Sequence, residues 1–449
     1  MQYEAHGLGG AGDLPIPAEY AIAGASAALA VSFIVMALAW RTPRFAVPTG
    51  SPVAAVGRLV DSGWFTPVVR GLGLAFTGWV AMAAVFGRDS LVNPTFGVFY
   101  VLLWVGIVPA SLLLGPFYKA VSPVRTLHLL LVRATGGDAS RGLRDYPARL
   151  GYWPSVLGLF AFVWFELISP NGTDLGAVRL WLAAYVGIML VGAAFFGDRW
   201  FEHADPFEVY SSFVARLSPW ARVDGRLTLV NPLANLTAIP IRPGIVAVVA
   251  VLLGSTAFDS FRESSFWLTK VQGSSVDKQW LDLAAMLGII LLVGGLFAAA
   301  TMLTGLHGGQ ARQTLPGEYA HSLLPIIVGY MVAHYLTSLV EYGQATVLQL
   351  ADPLGHGWNL LGLADRAPAD WLSQHPSTLA VIKVLGVVFG HVVAVVSAHD
   401  TAMRVLPRRD QLTGQLALLL VMVFFTTQGL ALLFSDPTAI LDWLSAPFE

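Results

Sequence analysis

Two long apolar segments in the C-terminal third of the chain carry four histidines. Residues 319–343 contain His321 and His334, and residues 379–404 contain His391 and His399. Each segment is long enough to cross a bilayer, which takes about 20 apolar residues. Ionisable side chains inside a membrane are costly and usually functional, and histidine titrates close to neutral pH. These residues therefore predict a binding site or a proton relay.

Ideal helix geometry divides the histidines into two pairs. With a rise of 1.5 Å per residue, His334 and His391 each lie about 20 Å from the predicted cytoplasmic ends of their segments. His321 and His399 lie within about 10 Å of those ends. The spacing predicts a deep pair, His334 with His391, at the core of the site. It also predicts a shallow pair, His321 with His399, which either connects that core to the cytoplasm or is simply wetted at the interface.

Three other residues in the same two segments belong to the predicted site. Tyr330 and Glu341 fall within about 40° of His334 around an ideal helix, so the three form one polar stripe. Lys383 lies at a depth similar to that of Glu341, and the two could pair across the segments. The alternative for Lys383 is that its long stem carries the ammonium outward to the interface.

Two aspartates complete the set of candidates. Asp259 lies near the predicted outer end of an earlier apolar segment, between hydroxyl side chains. Asp400 directly follows His399. The second histidine-bearing segment also carries small residues at every fourth position, a row that lets another helix approach closely. That row consists of Gly386, Gly390, Ala394 and Ala398.

These residue types are compatible with several kinds of chemistry. Histidines and carboxylates without any cofactor form a proton relay, as expected in a proton-coupled carrier of a small solute or ion. As an alternative, His334 and His391 could hold a transition metal ion or haem b in a membrane enzyme. A third interpretation is a non-catalytic membrane subunit whose polar residues contact partner subunits or lipid. The first interpretation is preferred, with no cofactor.

The bulk composition decides the class of protein. The chain has 449 residues, of which 55% are hydrophobic and 12% charged, and its mean hydropathy is +0.66. A soluble domain carries about 25% charged residues, so this chain has too few for an ordinary soluble surface. It contains no cysteine, which excludes disulfides, iron–sulfur clusters and thiolate metal sites. No nucleotide-binding or hydrolase motif lies in a credible context.

The composition predicts an all-α polytopic membrane protein that forms a single transmembrane domain over residues 1–449. Arg and Lys residues concentrate in alternate loops, which predicts that both termini face the outer side. Compact loops and Gly/Ala-rich segments suggest the cytoplasmic (inner) membrane of a bacterium or archaeon. About ten spans are expected, at 20–40, 70–87, 97–117, 152–169, 178–197, 243–261, 281–305, 319–343, 379–404 and 413–435.

Two predicted cytoplasmic loops contain amphipathic stretches with basic flanks. They cover residues 121–134 and 206–217, and such helices commonly lie in the headgroup plane of a membrane. The partners expected for the chain are therefore the lipid bilayer and a small solute or ion, with partner membrane subunits in the third interpretation. Nucleic acid is not expected as a partner.

Overall fold

A computed structural model describes residues 10–303, 312–363 and 365–434 of the chain. Most of these residues are helical, and within the described part eight helical segments are long and apolar enough to cross a membrane. The prediction of a multi-pass helical membrane protein is thereby supported in its general form. The eight segments are Ala18–Ala39, Phe65–Phe86, Leu175–Phe196, Ile245–Arg262, Lys278–Met302, Arg312–Gln349, Pro376–Val405 and Thr413–Phe434.

The other two predicted spans have a different form. The span expected at 97–117 is a pair of helices, Pro94–Val105 and Ile107–Leu114, with a bend of 46° between them. Its first part is π-helical over Gly97–Val105. The span expected at 152–169 is the helix Trp153–Leu167, whose 15 residues fall short of the roughly 20 needed to cross hydrocarbon. Within the described residues the count is eight spans, or nine with the bent pair.

Shorter helices occupy the connections. Two of them match the stretches expected to be amphipathic, namely Pro123–Ala134 and Pro206–Val214, which continues as a 3₁₀ turn over Ala215–Leu217. The remaining short helices include Ala54–Val60, Phe117–Val121, Asp198–Ala204, Pro232–Leu236, Ser265–Gln272 and Trp371–Gln374. The histidine-bearing segment Arg312–Gln349 is itself composite, since it contains the α-helices Leu315–Tyr319, Leu324–Thr337 and Gly343–Gln349 with 3₁₀ and π-helical turns between them.

A small antiparallel sheet departs from the all-α expectation. Its strands are β1 (Gly50–Pro52), β2 (Trp220–Val223) and β3 (Arg226–Val230), in the order β1-β3-β2. Strands β2 and β3 form a hairpin whose two turn residues, Asp224 and Gly225, both have positive φ. An Asp-Gly pair favours this turn because both positions need the left-handed region. The signal was therefore present in the sequence.

The packing of the described residues divides the chain into two compact units. Among the described residues, unit 1 comprises 10–46, 249–303, 312–337 and 370–434, and unit 2 comprises 47–248, 338–363 and 365–369. In unit 1, the helices Leu324–Thr337 and Pro376–Val405 approach closely through the predicted row of small residues. Gly390 lies against the backbone of Pro325, and Gly386 lies against the backbone of Gly329.

We expect Gly390→Leu to destabilise unit 1, because a Cβ at this position would meet the carbonyl oxygen of Pro325. Overpacking of this kind costs about 1–3 kcal/mol. Gly288→Leu is the matched control. Gly288 lies in the helix Lys278–Met302, and no described atom outside its own turn of helix lies within 4 Å of the position that a Cβ would take. Thermal unfolding of the purified protein in detergent measures both variants. Equal midpoints for the two would contradict the close approach.

Unit 2 buries the helix that was expected to lie in the headgroup plane. In Pro206–Val214 every residue except Ser212 is buried, so this helix has no apolar face left for lipid. The charged residue Glu208 is only 1% exposed because Arg125 of the helix Pro123–Ala134 contacts it with two nitrogens, at 2.6 Å and 2.8 Å. The periodicity that predicted an interfacial helix therefore belongs to a helix in the interior of unit 2.

Candidate functional site

A buried carboxylate organises the polar interior of unit 1. Asp259 lies in the last turn of the helix Ile245–Arg262 and is 1% exposed. Its Oδ2 atom contacts Nε2 of His334 at 2.9 Å and accepts a hydrogen bond from the hydroxyl of Tyr335 at 2.6 Å. Its Oδ1 atom accepts a hydrogen bond from Nε of Arg262 at 2.8 Å. One carboxylate thus gathers a histidine, a tyrosine and an arginine.

The other nitrogen of His334 extends this contact into a chain. Nδ1 of His334 lies 3.1 Å from Oγ of Ser260, and that Oγ lies 2.7 Å from the hydroxyl of Tyr330. An ionised carboxylate only accepts hydrogen bonds, whereas a neutral imidazole donates through one nitrogen and accepts through the other. With Asp259 ionised, Nε2 of His334 donates to the carboxylate and Nδ1 accepts from Ser260. Ser260 in turn accepts a hydrogen bond from Tyr330.

Helix periodicity explains why these side chains meet. Asp259 and Arg262 are three residues apart, and Tyr330 and His334 are four apart, so each pair shares a helix face. The rings of Tyr330 and His334 stack with centroids 6.1 Å apart. Among the eight spans of the described residues, the helix Ile245–Arg262 has the largest buried share. We call Tyr330, Ser260, His334, Asp259, Tyr335 and Arg262 the Asp259 network.

His391, the other deep histidine of the sequence analysis, lies outside this network. Because Gly390 lies against Pro325, His391 is level with the start of the helix Leu324–Thr337. His334 is about two turns, or roughly 12 Å, further along that helix. The Nδ1 atom of His391 contacts its own helix at the carbonyl of Val387, 2.9 Å away. Nε2 is buried without a hydrogen-bond partner among the described residues.

The predicted shallow residues His399 and Asp400 are buried and hold the segment that follows the first helix. His399 contacts the carbonyl oxygen of Trp40 at 2.9 Å through Nε2. It contacts Oε1 of Gln415 at 3.0 Å through Nδ1. The carboxylate of Asp400 accepts hydrogen bonds from the backbone N–H groups of residues 44 and 45, at 2.5 Å and 3.2 Å. These contacts anchor the backbone, and both side chains are only 1% exposed.

The other predicted site residues lie in different surroundings. His321 is buried, and its Nε2 atom lies 3.2 Å from the hydroxyl of Thr401. Lys383 is 4% exposed. Glu341 belongs to unit 2, whereas Lys383 belongs to unit 1. Of the predicted residues, the Asp259 network contains Asp259, Tyr330 and His334.

Three members of the network, Ser260, Arg262 and Tyr335, are not among the residues that the sequence predicted for the site. A signal existed for Arg262, since an Asp and an Arg at positions i and i+3 of a helix form ion pairs. For Tyr335 there was none, because an ideal helix places it 100° around from His334. Its contact with Asp259 depends on where the helix Ile245–Arg262 packs.

The histidine nitrogens of the predicted site mostly contact other protein groups. Both nitrogens of His334 do so, and so do both nitrogens of His399. His334 and His391 lie about two turns apart. Within the described part of the chain, no group of three or more His, Asp or Glu side chains gathers closely enough to hold a metal.

Unit 2 contains another buried carboxyl group, close to Glu208 in the sequence. Asp205 caps the helix Pro206–Val214 by accepting hydrogen bonds from the backbone N–H groups of Phe207 and Glu208, at 3.0 Å and 3.3 Å. The hydroxyl of Tyr185 donates to its Oδ2 atom at 2.9 Å. Complete burial, followed by the negative charge of Glu208, raises the pKa of Asp205 to about 7. Asp205 therefore holds a proton more tightly in the folded protein than in an unfolded chain.

We expect this carboxyl group to make stability fall as the pH rises. An aspartate in an unfolded chain titrates near pH 3.9, so the stabilising contribution is complete below about pH 4 and is lost as the pH rises through about 7. Between pH 5 and pH 8 the loss amounts to about 3 kcal/mol. Asp205→Asn keeps a good helix cap and should flatten this part of the pH dependence, measured as thermal midpoints. An unchanged slope in the variant would refute the assignment.

No protein-family profile, curated protein or solved structure matches this chain.

Proposed function

We propose that this membrane protein is a secondary carrier for a small solute or ion, coupled to protons through the Asp259 network. The observation that supports this most directly is the unbroken hydrogen-bond chain Tyr330–Ser260–His334–Asp259, with every link between 2.7 Å and 3.1 Å. Ionisable groups in a membrane interior are costly and mark proton relays and ion pathways. Histidine is the side chain suited to gaining and losing a proton near neutral pH.

Protonation of His334 changes the network in a defined way. The imidazolium has two donors and no acceptor, so Ser260 can no longer donate to Nδ1 and must accept from it instead. The oxygen of Ser260 can accept from both His334 and Tyr330, but the proton of Ser260 has lost its acceptor on His334 and must turn towards another group. Because Ser260 and His334 lie on different helices, the two protonation states favour different contacts between those helices. A proton thereby shifts the balance between two conformations, as coupled transport requires.

A proton can reach the network beside Arg262, its partly exposed member. Arg262 ends its helix with a side chain that is 25% exposed, while the Asp259 side chain it contacts is 2% exposed. The carboxylate is thus one side chain away from solvent at the end of the helix Ile245–Arg262. From the loop charges we infer that this end faces the outside of an inner membrane in a bacterium or archaeon.

Uptake into proteoliposomes tests the proposal. The full-length protein is reconstituted, an inward proton gradient is imposed, and a panel of radiolabelled amino acids, sugars, carboxylates and monovalent cations is screened. We expect accumulation of at least one class that collapses when a protonophore is added. If no member of the panel accumulates in vesicles with the wild-type protein or with the network variants, the carrier proposal is wrong. The polar residues then belong to a non-catalytic subunit.

A further inference from the structure

The hydroxyl of Ser260 is oriented differently from its neighbours on the same helix. Ser255 and Thr256 hydrogen-bond back to the carbonyl of Leu252 at 3.5 Å and 2.7 Å, as Ser and Thr commonly do inside helices. Ser260 instead directs its Oγ at Nδ1 of His334, 3.1 Å away. Its hydroxyl is therefore available for hydrogen bonding to the histidine.

His334 is held in the tautomer that a general base requires. Its Nε2 atom contacts Oδ2 of Asp259 at 2.9 Å, and a carboxylate at that position keeps the proton on Nε2 and the lone pair on Nδ1. That lone pair faces Ser260. A nucleophile, a base within hydrogen-bond reach and a third group that orients the base together form the diagnostic arrangement for covalent catalysis. Here Nδ1 faces the serine and Nε2 faces the carboxylate. The chemistry requires only that one ring nitrogen accepts the serine proton while the other contacts the carboxylate.

We infer that Ser260 is a catalytic nucleophile for hydrolysis of a small uncharged carboxylic ester, with His334 as its base and Asp259 as the positioning residue. The inference rests on the same network as the proposed carrier but assigns it a further activity. An uncharged substrate follows from the surroundings. The Arg262 guanidinium is engaged by Asp259, and the neighbouring side chains on both helices are largely apolar.

The reaction balances without any further reagent than water. Oγ of Ser260 attacks the carbonyl carbon as its proton passes to Nδ1 of His334, and the carbonyl electron pair moves to the oxygen. The hydroxyl of Tyr330, 2.7 Å from that Oγ, is then free to donate to this oxyanion. Collapse expels the alcohol, which takes the proton from Nδ1 and leaves an acyl-Ser260 ester. Water then attacks, delivers a proton to Nδ1, and releases the acid as Ser260 regains its proton.

Covalent labelling tests the inference on the full-length protein in detergent. We expect a fluorescent alkyl fluorophosphonate to modify Ser260, with the adduct located by peptide mass spectrometry. Ser260→Ala should lose the label, and the matched control Ser255→Ala should keep it. His334→Gln should slow labelling at least 100-fold, in line with general-base catalysis. Asp259→Asn should also slow it and alter its pH profile, because the variant changes the tautomer of His334 and not merely the packing.

Hydrolysis of p-nitrophenyl acetate provides a second readout. We expect Ser260→Ala to lose turnover and Ser260→Cys to retain acylation, since a thiol also forms an acyl intermediate. A wild-type protein that is monodisperse and yields no Ser260 adduct overturns the inference, whatever the variants do. If pH-driven uptake persists in that case, the carrier proposal stands alone. If the adduct forms and no solute accumulates, the nucleophile stands and the carrier proposal falls.

Discussion

His334→Gln should lower the initial rate of pH-driven solute uptake at least tenfold. Glutamine keeps hydrogen-bonding capacity close to that of the ring, but it cannot titrate near neutral pH. Asp259→Asn should have an effect of similar size, because it removes the charge that stabilises the imidazolium of His334. The measurement is uptake of the accumulating solute class into proteoliposomes under an imposed proton gradient.

His128→Gln is the matched control for that experiment. His128 is also buried, at 3% exposure, but it lies in the helix Pro123–Ala134 of unit 2, outside the Asp259 network. We expect it to transport at the wild-type rate. His391→Gln asks separately whether the second histidine of the sequence prediction takes part. Wild-type coupling in His334→Gln would refute the relay, since His334 is the titratable side chain that links Ser260 to Asp259.

Arg125→Met should be among the most destabilising single changes in unit 2. It leaves the carboxylate of Glu208, 1% exposed, without the guanidinium that contacts both of its oxygens. Breaking one partner of a buried ion pair costs about 3–5 kcal/mol, because the remaining charge is uncompensated. Arg125 also contacts the carboxylate of Asp198 at 3.1 Å, so a second charge loses its partner. The thermal midpoint in detergent should fall accordingly.

The double variant Arg125→Met with Glu208→Leu separates the cost of a stranded charge from lost packing. Apolar replacement of both partners of a buried ion pair is often neutral, so we expect the double variant to recover most of the stability lost in Arg125→Met. Lys119→Met is the control, because the ion pair between Lys119 and Glu202 is exposed on both sides and such pairs contribute at most about 1 kcal/mol. A double variant as unstable as the single one would contradict this account.

Local sequence patterns were sufficient for part of the fold. Apolar runs such as 178–197 and 379–404 predicted helices at Leu175–Phe196 and Pro376–Val405, because every backbone polar group in a membrane must be satisfied within its own segment. The row of small residues through Gly386 and Gly390 correctly predicted a close helix approach. The hairpin of β2 and β3 was not predicted, although its Asp-Gly turn signal is present in the sequence.

Amphipathic periodicity did not reveal the surroundings of a helix. Residues 206–217 have the spacing of a surface helix, yet Pro206–Val214 is buried within unit 2. The pattern reports which side chains share a face, and that face can meet lipid or protein equally well. The burial of this helix depends on the contact of its charged residue Glu208 with Arg125, which lies 83 positions earlier in the chain.

The sequence by itself determined that this is a multi-pass helical membrane protein with titratable groups inside it, and it predicted nine candidate site residues, among them Asp259, Tyr330 and His334. Both follow from local properties, namely hydrophobicity along a segment and residue type. Tertiary structure decided which of those candidates meet. It joined His334 to Asp259 and Ser260 and left His391 about two turns away, because partner choice depends on the register and rotation of helices packed against one another. Those quantities depend on many side chains at once, and no single segment encodes them.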